Sequence, residues 1–291
     1  MKNNLRAIIT ALFGIAVFLF WLLGYPEALN YQEQNQLWLT TGDFFLQRMA
    51  VPGGMADYVS EFLVQFYYVP WLGALLIGVV YAAMQWLMWM TVRRWDKTAF
   101  PITFLLPLLM LWHQGDIDTL LSLPVAIVMA LGAKVAMSKY GRHGYLLDIV
   151  SVPVIYWAAG PAAVIYVAIR GLQYGWKLFI EDTVLFAISI MAAYWVVDYQ
   201  CPLNMMVGGI NYYRIPLMAP VMQYVVLLSP IVIALAARFY PWKNEDTFSS
   251  TRRYLHLALK VSTLAIVGIF AINKGFDPFV YEILWQDSMV R

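Results

Sequence analysis

Residues 146–171 read LLDIVSVPVIYWAAGPAAVIYVAIRG, and the way this stretch meets a membrane decides the topology of the whole chain. It is long enough for one transmembrane helix, which needs about 20 apolar residues. Its middle, however, holds Gly160-Pro161, and proline removes a backbone donor and disfavours helical geometry in the preceding residue. The stretch is therefore either a single crossing or a hairpin of two short helices, 146–159 and 161–171, that meet at the outer side.

The basic residues favour the hairpin, because Lys and Arg near span ends remain on the cytoplasmic side. With the hairpin the chain crosses nine times from a cytoplasmic amino terminus, and 15 of its 19 basic residues lie inside. A single crossing leaves only 11 inside and 8 outside. The predicted spans are 7–24, 69–92, 99–113, 119–137, the two hairpin helices, 178–197, 217–239 and 254–273.

Composition places the chain among polytopic membrane proteins. Of 291 residues, 62% are hydrophobic and 12% are charged, whereas a soluble domain has about 45–50% apolar and about 25% charged residues. A soluble enzyme and a disordered chain are excluded, and the net charge of +2 offers no basic patch for nucleic acid. We predict an all-α transmembrane helix bundle in contact with the lipid bilayer. The single Cys201 cannot form an intrachain disulfide.

The first outer loop, residues 25–68, is predicted to carry two helices on the membrane surface. One covers 30–49, and the second shows apolar residues at 59, 62, 63 and 66, the spacing of one helical face. Pro52-Gly53-Gly54 separates them. The bundle then comprises residues 1–276 with these surface helices within 30–68. Residues 277–291 are predicted to begin a periplasmic helical segment of a truncated chain.

The outer loops hold the sharpest group of chemically active residues. Glu33 lies in the first, and Asp116-Ile117-Asp118 follows His113 in the second. Paired carboxylates suit a divalent ion that bridges phosphate oxygens, so Asp116 and Asp118 are candidate metal ligands. Alternatively, the two acids solvate a tight turn and Asp118 caps the next helix. His113 is either a ligand beside Asp116 or an interfacial residue at a helix end.

Over residues 5–137 this layout resembles the GT-C membrane glycosyltransferases, which use polyprenyl-phosphate sugars. The resemblance rests on an acid in the first outer loop and an Asp-x-Asp in the second. It implies Glu33 as the base towards an acceptor hydroxyl, and Asp116 with Asp118 as the group that holds a divalent ion or the diphosphate. Arg214 in a later outer loop is a candidate for the leaving phosphate. Its alternative is a salt bridge to Asp198 or to an acid of the first loop.

The segments 31–35, 52–54 and 62–66 also look similar to an uncharacterised bacterial family of polytopic inner-membrane proteins. That resemblance implies an inner-membrane location and no particular activity. A transporter is disfavoured because no ionisable residue lies mid-span, where Gln85 is the most polar side chain. The alternative to a transferase is a non-enzymatic scaffold, or an anchor for a periplasmic domain or an envelope partner.

Overall fold

The computed structural model describes residues 2–138, 145–197, 202–239, 250–277, 280–283 and 286, and in these ranges the regular structure is helical. Five stretches are long and apolar enough to cross a membrane: Asn4–Gly24, Pro70–Val92, Ile149–Tyr174, Trp176–Val196 and Val221–Phe239. Two shorter apolar helices, Ser122–Met137 and Val261–Gly275, accompany them. These helices support the prediction of an all-α integral membrane protein.

The helices have the following bounds in chain order: α1 Lys2–Gly24, α2 Pro26–Gln34, α3 Gly42–Met49, α4 Gly54–Val64, α5 Pro70–Val92, α6 Leu105–Gln114, α7 Ser122–Met137, α8 Tyr145–Ala159, α9 Ala163–Tyr174, α10 Trp176–Val196, α11 Leu203–Gly208, α12 Val221–Phe239 and α13 Ser250–Gly275. Short 3₁₀ turns cover Gln65–Tyr68, Pro101–Phe104, Gly160–Ala162 and Pro216–Met218. The predicted span at 99–113 is therefore a 3₁₀ turn followed by a ten-residue helix.

The chain turns back between α8 and α9. Ser151 Oγ on α8 lies 3.1 Å from Tyr166 OH on α9, whereas an unbroken helix would separate these residues by about 22 Å. Gly160 makes the turn with a φ of 62°, a left-handed geometry that favours glycine. The reversal lies at the Gly160-Pro161 pair, as the hairpin interpretation predicts. The total of nine crossings stays a prediction.

The connections 25–68, 113–121, 159–162 and 209–216 converge at one end of the bundle, which we call the loop end. Gln32 Nε2 donates to the Thr119 carbonyl at 3.4 Å, and Ala162 N donates to Tyr212 OH at 3.1 Å. The start of α1 lies at the opposite end, where Arg6 donates to the Lys97 carbonyl at 2.7 Å. The grouping of the predicted outer loops on one face is therefore consistent with the fold.

The first of these connections contains three helices rather than the predicted two. The helix expected over 30–49 is wrong, because α2 ends at Gln34 and α3 begins at Gly42. Thr41 starts α3 by accepting a hydrogen bond from Phe44 N at 3.3 Å. Between the two helices the chain crosses α4, and Trp38 packs on the ring of Phe62. α4 in turn packs against α7 and α8, so it is part of the bundle.

A buried polar chain links α1, α5 and the 3₁₀ turn before α6. Thr10 Oγ1 donates to Gln85 Oε1 at 2.6 Å, and Gln85 Nε2 donates to Thr103 Oγ1 at 2.8 Å. Gln85 and Thr103 have no exposed surface. The most polar mid-span side chain thus joins neighbouring helices, which is the usual role of an amide inside a membrane bundle.

Replacing Gln85 by leucine should lower the free energy of unfolding by about 1–2 kcal/mol. The change removes two buried hydrogen bonds, each worth roughly 0.6 kcal/mol in membrane bundles, and leaves the Thr10 hydroxyl without its acceptor. Thermal unfolding in detergent measures the difference. Gln47→Leu, at an exposed position on α3, is the matched control and should leave stability nearly unchanged; a Q85L protein as stable as this control would contradict the interpretation.

Candidate functional site

Two segments pair at the loop end and position the predicted site residues. Arg214 N donates to the Asp118 carbonyl at 2.9 Å, and Leu120 N donates to the Tyr212 carbonyl at 3.3 Å. Thr119 and Tyr213 form an antiparallel bridge between these hydrogen bonds. The turn before α7 and the connection before α12 therefore form one unit, although they are far apart in sequence.

Asp116 and Asp118 are engaged within this unit. Asp118 N donates to Asp116 Oδ1 at 3.1 Å, and Tyr213 OH donates to Asp116 Oδ2 at 2.8 Å. The tight-turn interpretation agrees with these contacts, but Asp118 does not cap α7, which begins after Leu121 without a side-chain cap. In the described part of the chain, no group of three or more His, Cys, Asp and Glu side chains is placed to bind a metal ion.

Arg214 forms a salt bridge to Asp118, with Nε 2.7 Å from Oδ1. The salt bridge predicted for Arg214 as its alternative role involves Asp198 or an acid of the first loop. Asp198 lies outside the described residues, and the observed partner belongs to the second loop. Arg214 Nη1 also donates to Tyr31 OH at 3.0 Å. The Arg214 side chain is 40% exposed, so Asp118 orients the guanidinium and leaves part of the side chain available.

Neither Glu33 nor His113 lines the space beside Arg214. Glu33 is half-buried on α2. His113 lies near the end of α6 as predicted, but it is only 1% exposed. The structure therefore brings Asp116, Asp118 and Arg214 together and leaves Glu33 outside the group.

A cavity of about 540 Å³ opens beside Arg214, and we call it the arginine cavity. Its walls come from α2, α3, α4 and the paired loops, and they include Arg48 and Arg214. Tyr31, Phe44 and Tyr213 supply aromatic surface. The volume lies within the range of small-molecule sites, about 300–1,000 Å³.

One wall carries an arginine between two carboxylates. Arg48 binds Glu61 with two hydrogen bonds, Nε to Oε2 at 2.9 Å and Nη2 to Oε1 at 2.5 Å, and its Nε lies 3.5 Å from Asp57 Oδ2. The pKa of Asp57 is raised to about 7, mainly by burial and also by the Glu61 charge, against the lowering effect of Arg48. Burial also raises the pKa of Glu61, against the two lowering effects of Arg48. Arg48 therefore pairs mainly with Glu61, through two hydrogen bonds, and lies farther from Asp57.

Two carboxamides of the same cavity carry unused hydrogen-bonding atoms. Gln32 Oε1 and Asn211 Nδ2 are buried and have no hydrogen-bond partner among the described residues. One is an acceptor and the other a donor, and leaving such a buried group unpaired costs about 1–3 kcal/mol. Both residues line the arginine cavity, so a ligand that donates and accepts hydrogen bonds would suit these walls.

Arg48, Asp57 and Glu61 were not among the residues singled out from the sequence. A signal was present, because Asp57 and Glu61 are four residues apart and therefore share a face of α4. Arg48 is also the single basic residue of the 25–68 segment. Gln32 and Asn211 had no such signal, since their positions depend on the pairing of distant loops.

Comparison with curated proteins and with solved structures finds no match. Residues 2–286, nearly the whole chain, match one family of unknown function. This agrees with the expectation of an uncharacterised family. The chain therefore belongs to the family of unknown function DUF6057.

Proposed function

We propose that the chain is a membrane transferase that takes a sugar from a polyprenyl phosphate donor, with the sugar phosphate bound in the arginine cavity. The loop end is then the periplasmic face of a bacterial inner membrane, with the amino terminus cytoplasmic, the carboxyl terminus periplasmic and nine crossings. The supporting observation is the cavity itself, where Arg48 and Arg214 accompany unpaired amide atoms of Gln32 and Asn211.

The lining matches the chemistry of a sugar phosphate. Arginine binds phosphate oxygens through charge-assisted hydrogen bonds, and the partly exposed Arg214 is placed to receive them. Sugar hydroxyls donate and accept hydrogen bonds, as Asn211 Nδ2 and Gln32 Oε1 require. In this proposal Asp118 holds Arg214 and Asp116 holds Tyr213, and these positioning roles replace the divalent-ion role expected from the sequence.

The same proposal moves the base from Glu33 to Asp57, which lines the cavity. The acceptor hydroxyl gives its proton to the Asp57 carboxylate while its oxygen attacks the anomeric carbon. The bond from that carbon to the phosphate oxygen breaks, and the phosphate leaves with the electron pair towards Arg214. A base works best with a pKa near the working pH, and burial raises the pKa of Asp57 to about 7.

Binding of polyprenyl phosphate to the purified protein in nanodiscs tests the phosphate role of Arg214. Arg214→Gln should weaken binding roughly 10- to 100-fold, because a charge-assisted hydrogen bond contributes about 1.5–3 kcal/mol. Arg93→Gln, an exposed arginine at the opposite end, is the matched control and should bind like the unchanged protein. Microscale thermophoresis gives the affinities, with uncharged polyprenol as the reference ligand.

The same titration separates the transferase from the scaffold. Equal affinity for polyprenol and polyprenyl phosphate would remove the phosphate site and leave a non-enzymatic scaffold or anchor as the better function. Equal affinity of R214Q and R93Q for the phosphate would remove Arg214 from the site. A phosphate preference that is lost in R214Q and kept in R93Q supports the proposal.

A further inference from the structure

A second cavity of about 350 Å³ lies at the loop end, where the carboxyl-terminal ends of α6 and α13 meet. The two backbones touch, because a Cβ atom added at Gly115 would clash with the Gly275 carbonyl oxygen. We call the space the histidine cavity, because His113 lines it together with Asp116, Lys274 and Asp277. Its remaining walls are mainly apolar, as at Trp112.

His113 is the buried polar group of this cavity. It is 1% exposed, and its Nε2 has no hydrogen-bond partner within the described part of the chain. Thr119 Oγ1 donates its proton to the His113 carbonyl at 2.9 Å and lies 3.5 Å from Nδ1. The hydroxyl therefore presents a lone pair to Nδ1, which favours the proton on Nδ1 and leaves Nε2 as a free acceptor. A ligand with a hydrogen-bond donor would satisfy it.

The charged groups around the histidine cavity indicate which kind of ligand it would bind. Asp116 and Asp277 bring carboxylates to the cavity, and the carboxyl-terminal ends of α6 and α13, which carry the negative ends of the helix dipoles, lie beside it. These groups favour an ammonium. Lys274 lies in the same wall and favours an anion. A ligand that carries an ammonium a short distance from a phosphate fits both requirements.

We propose that the histidine cavity binds a phosphoethanolamine group, with the ammonium at His113 and Asp116 and the phosphate at Lys274. This site is separate from the arginine cavity, although Ile117 lines both. The proposal does not depend on the transferase function. The group has two sources, the headgroup of phosphatidylethanolamine in the membrane and free O-phosphoethanolamine.

Phosphatidylethanolamine and phosphatidylcholine with the same acyl chains test the proposal, because they share the phosphate and differ in the three methyl groups that remove the N–H donors. Native mass spectrometry of the full chain in detergent should show roughly tenfold tighter binding of phosphatidylethanolamine. Asp116→Asn and His113→Phe should reduce this preference to near onefold. Lys274→Gln, at an exposed position, should weaken both lipids equally.

Asp43→Asn, an exposed acid on α3, is the matched control and should keep the preference. If H113F fails to fold, D116N and K274Q carry the test. Binding of free O-phosphoethanolamine supports the soluble source, and binding of the lipid alone supports the membrane source. Equal affinity for the two lipids in the unchanged protein overturns the proposal, as does a tenfold preference that survives in both H113F and D116N.

Discussion

Replacing Arg170 by alanine is expected to lower the free energy of unfolding by about 3–5 kcal/mol, because it removes the cation of a buried ion pair and keeps the Asp182 carboxylate buried. Arg170 on α9 has its Nε 3.4 Å from Asp182 Oδ2 on α10, and the two side chains are 6% and 1% exposed. Arg170 Nη1 also donates to Tyr166 OH at 3.0 Å. Chemical unfolding in detergent, followed by circular dichroism, measures the loss.

The double variant Arg170→Met with Asp182→Leu is the decisive control. Removing both charges leaves no buried ion, and apolar replacements of similar volume often keep the stability of such a pair. The double variant should therefore be more stable than R170A alone. If R170A loses less than about 1 kcal/mol, the pair resembles a surface salt bridge and does not hold α9 against α10.

This ion pair shows where prediction from the sequence ends. The Gly160-Pro161 turn follows from local chemistry, because proline and glycine act on their own backbone. The long apolar helices follow from composition in the same way. The pairing of Asp182 with Arg170 depends on how α10 folds back against α9. No spacing within one helix encodes that contact.

Part of the candidate site could likewise be predicted from the sequence, and part could not. The sequence indicated Asp116, Asp118 and Arg214 as outer residues, and they lie together. The resemblance to the GT-C enzymes implies Glu33 as the acid of the first loop. The break between α2 and α3 instead brings Arg48 against α4, so the acids in the cavity are Asp57 and Glu61. Which acid acts as the base stays a prediction.

Asp57→Asn should make the folded protein more stable at pH 8, by about 2–4 kcal/mol, and should leave its stability near pH 4 almost unchanged. The pKa of Asp57 is raised from 3.8 to about 7 in the fold. Between these values the folded state holds a proton that the unfolded chain has lost, so the stability contributed by Asp57 falls as the pH rises from about 4 to 7. Asparagine stays neutral and removes this loss. Unfolding curves across pH 4–8 measure it.

Asp43→Asn is the control, since Asp43 is an exposed acid on neighbouring α3. Its stability should follow the unchanged protein at every pH. If D57N is instead less stable than the unchanged protein at pH 8, then Asp57 acts as an ion-pair partner of Arg48, and the case for a base at this position fails.

The gain in stability and the loss of function should occur in the same variant. A carboxylate that is buried beside Glu61 and only 3.5 Å from a shared arginine destabilises the fold whenever it is ionised. Residues that destabilise the fold in this way are typical of active sites, where greater stability often accompanies lower activity. D57N should therefore bind polyprenyl phosphate through Arg48 and Arg214 as before and transfer no sugar. Full transfer by D57N would contradict the assignment of Asp57 as the base and would make Glu61, the other acid that lines the cavity, the candidate.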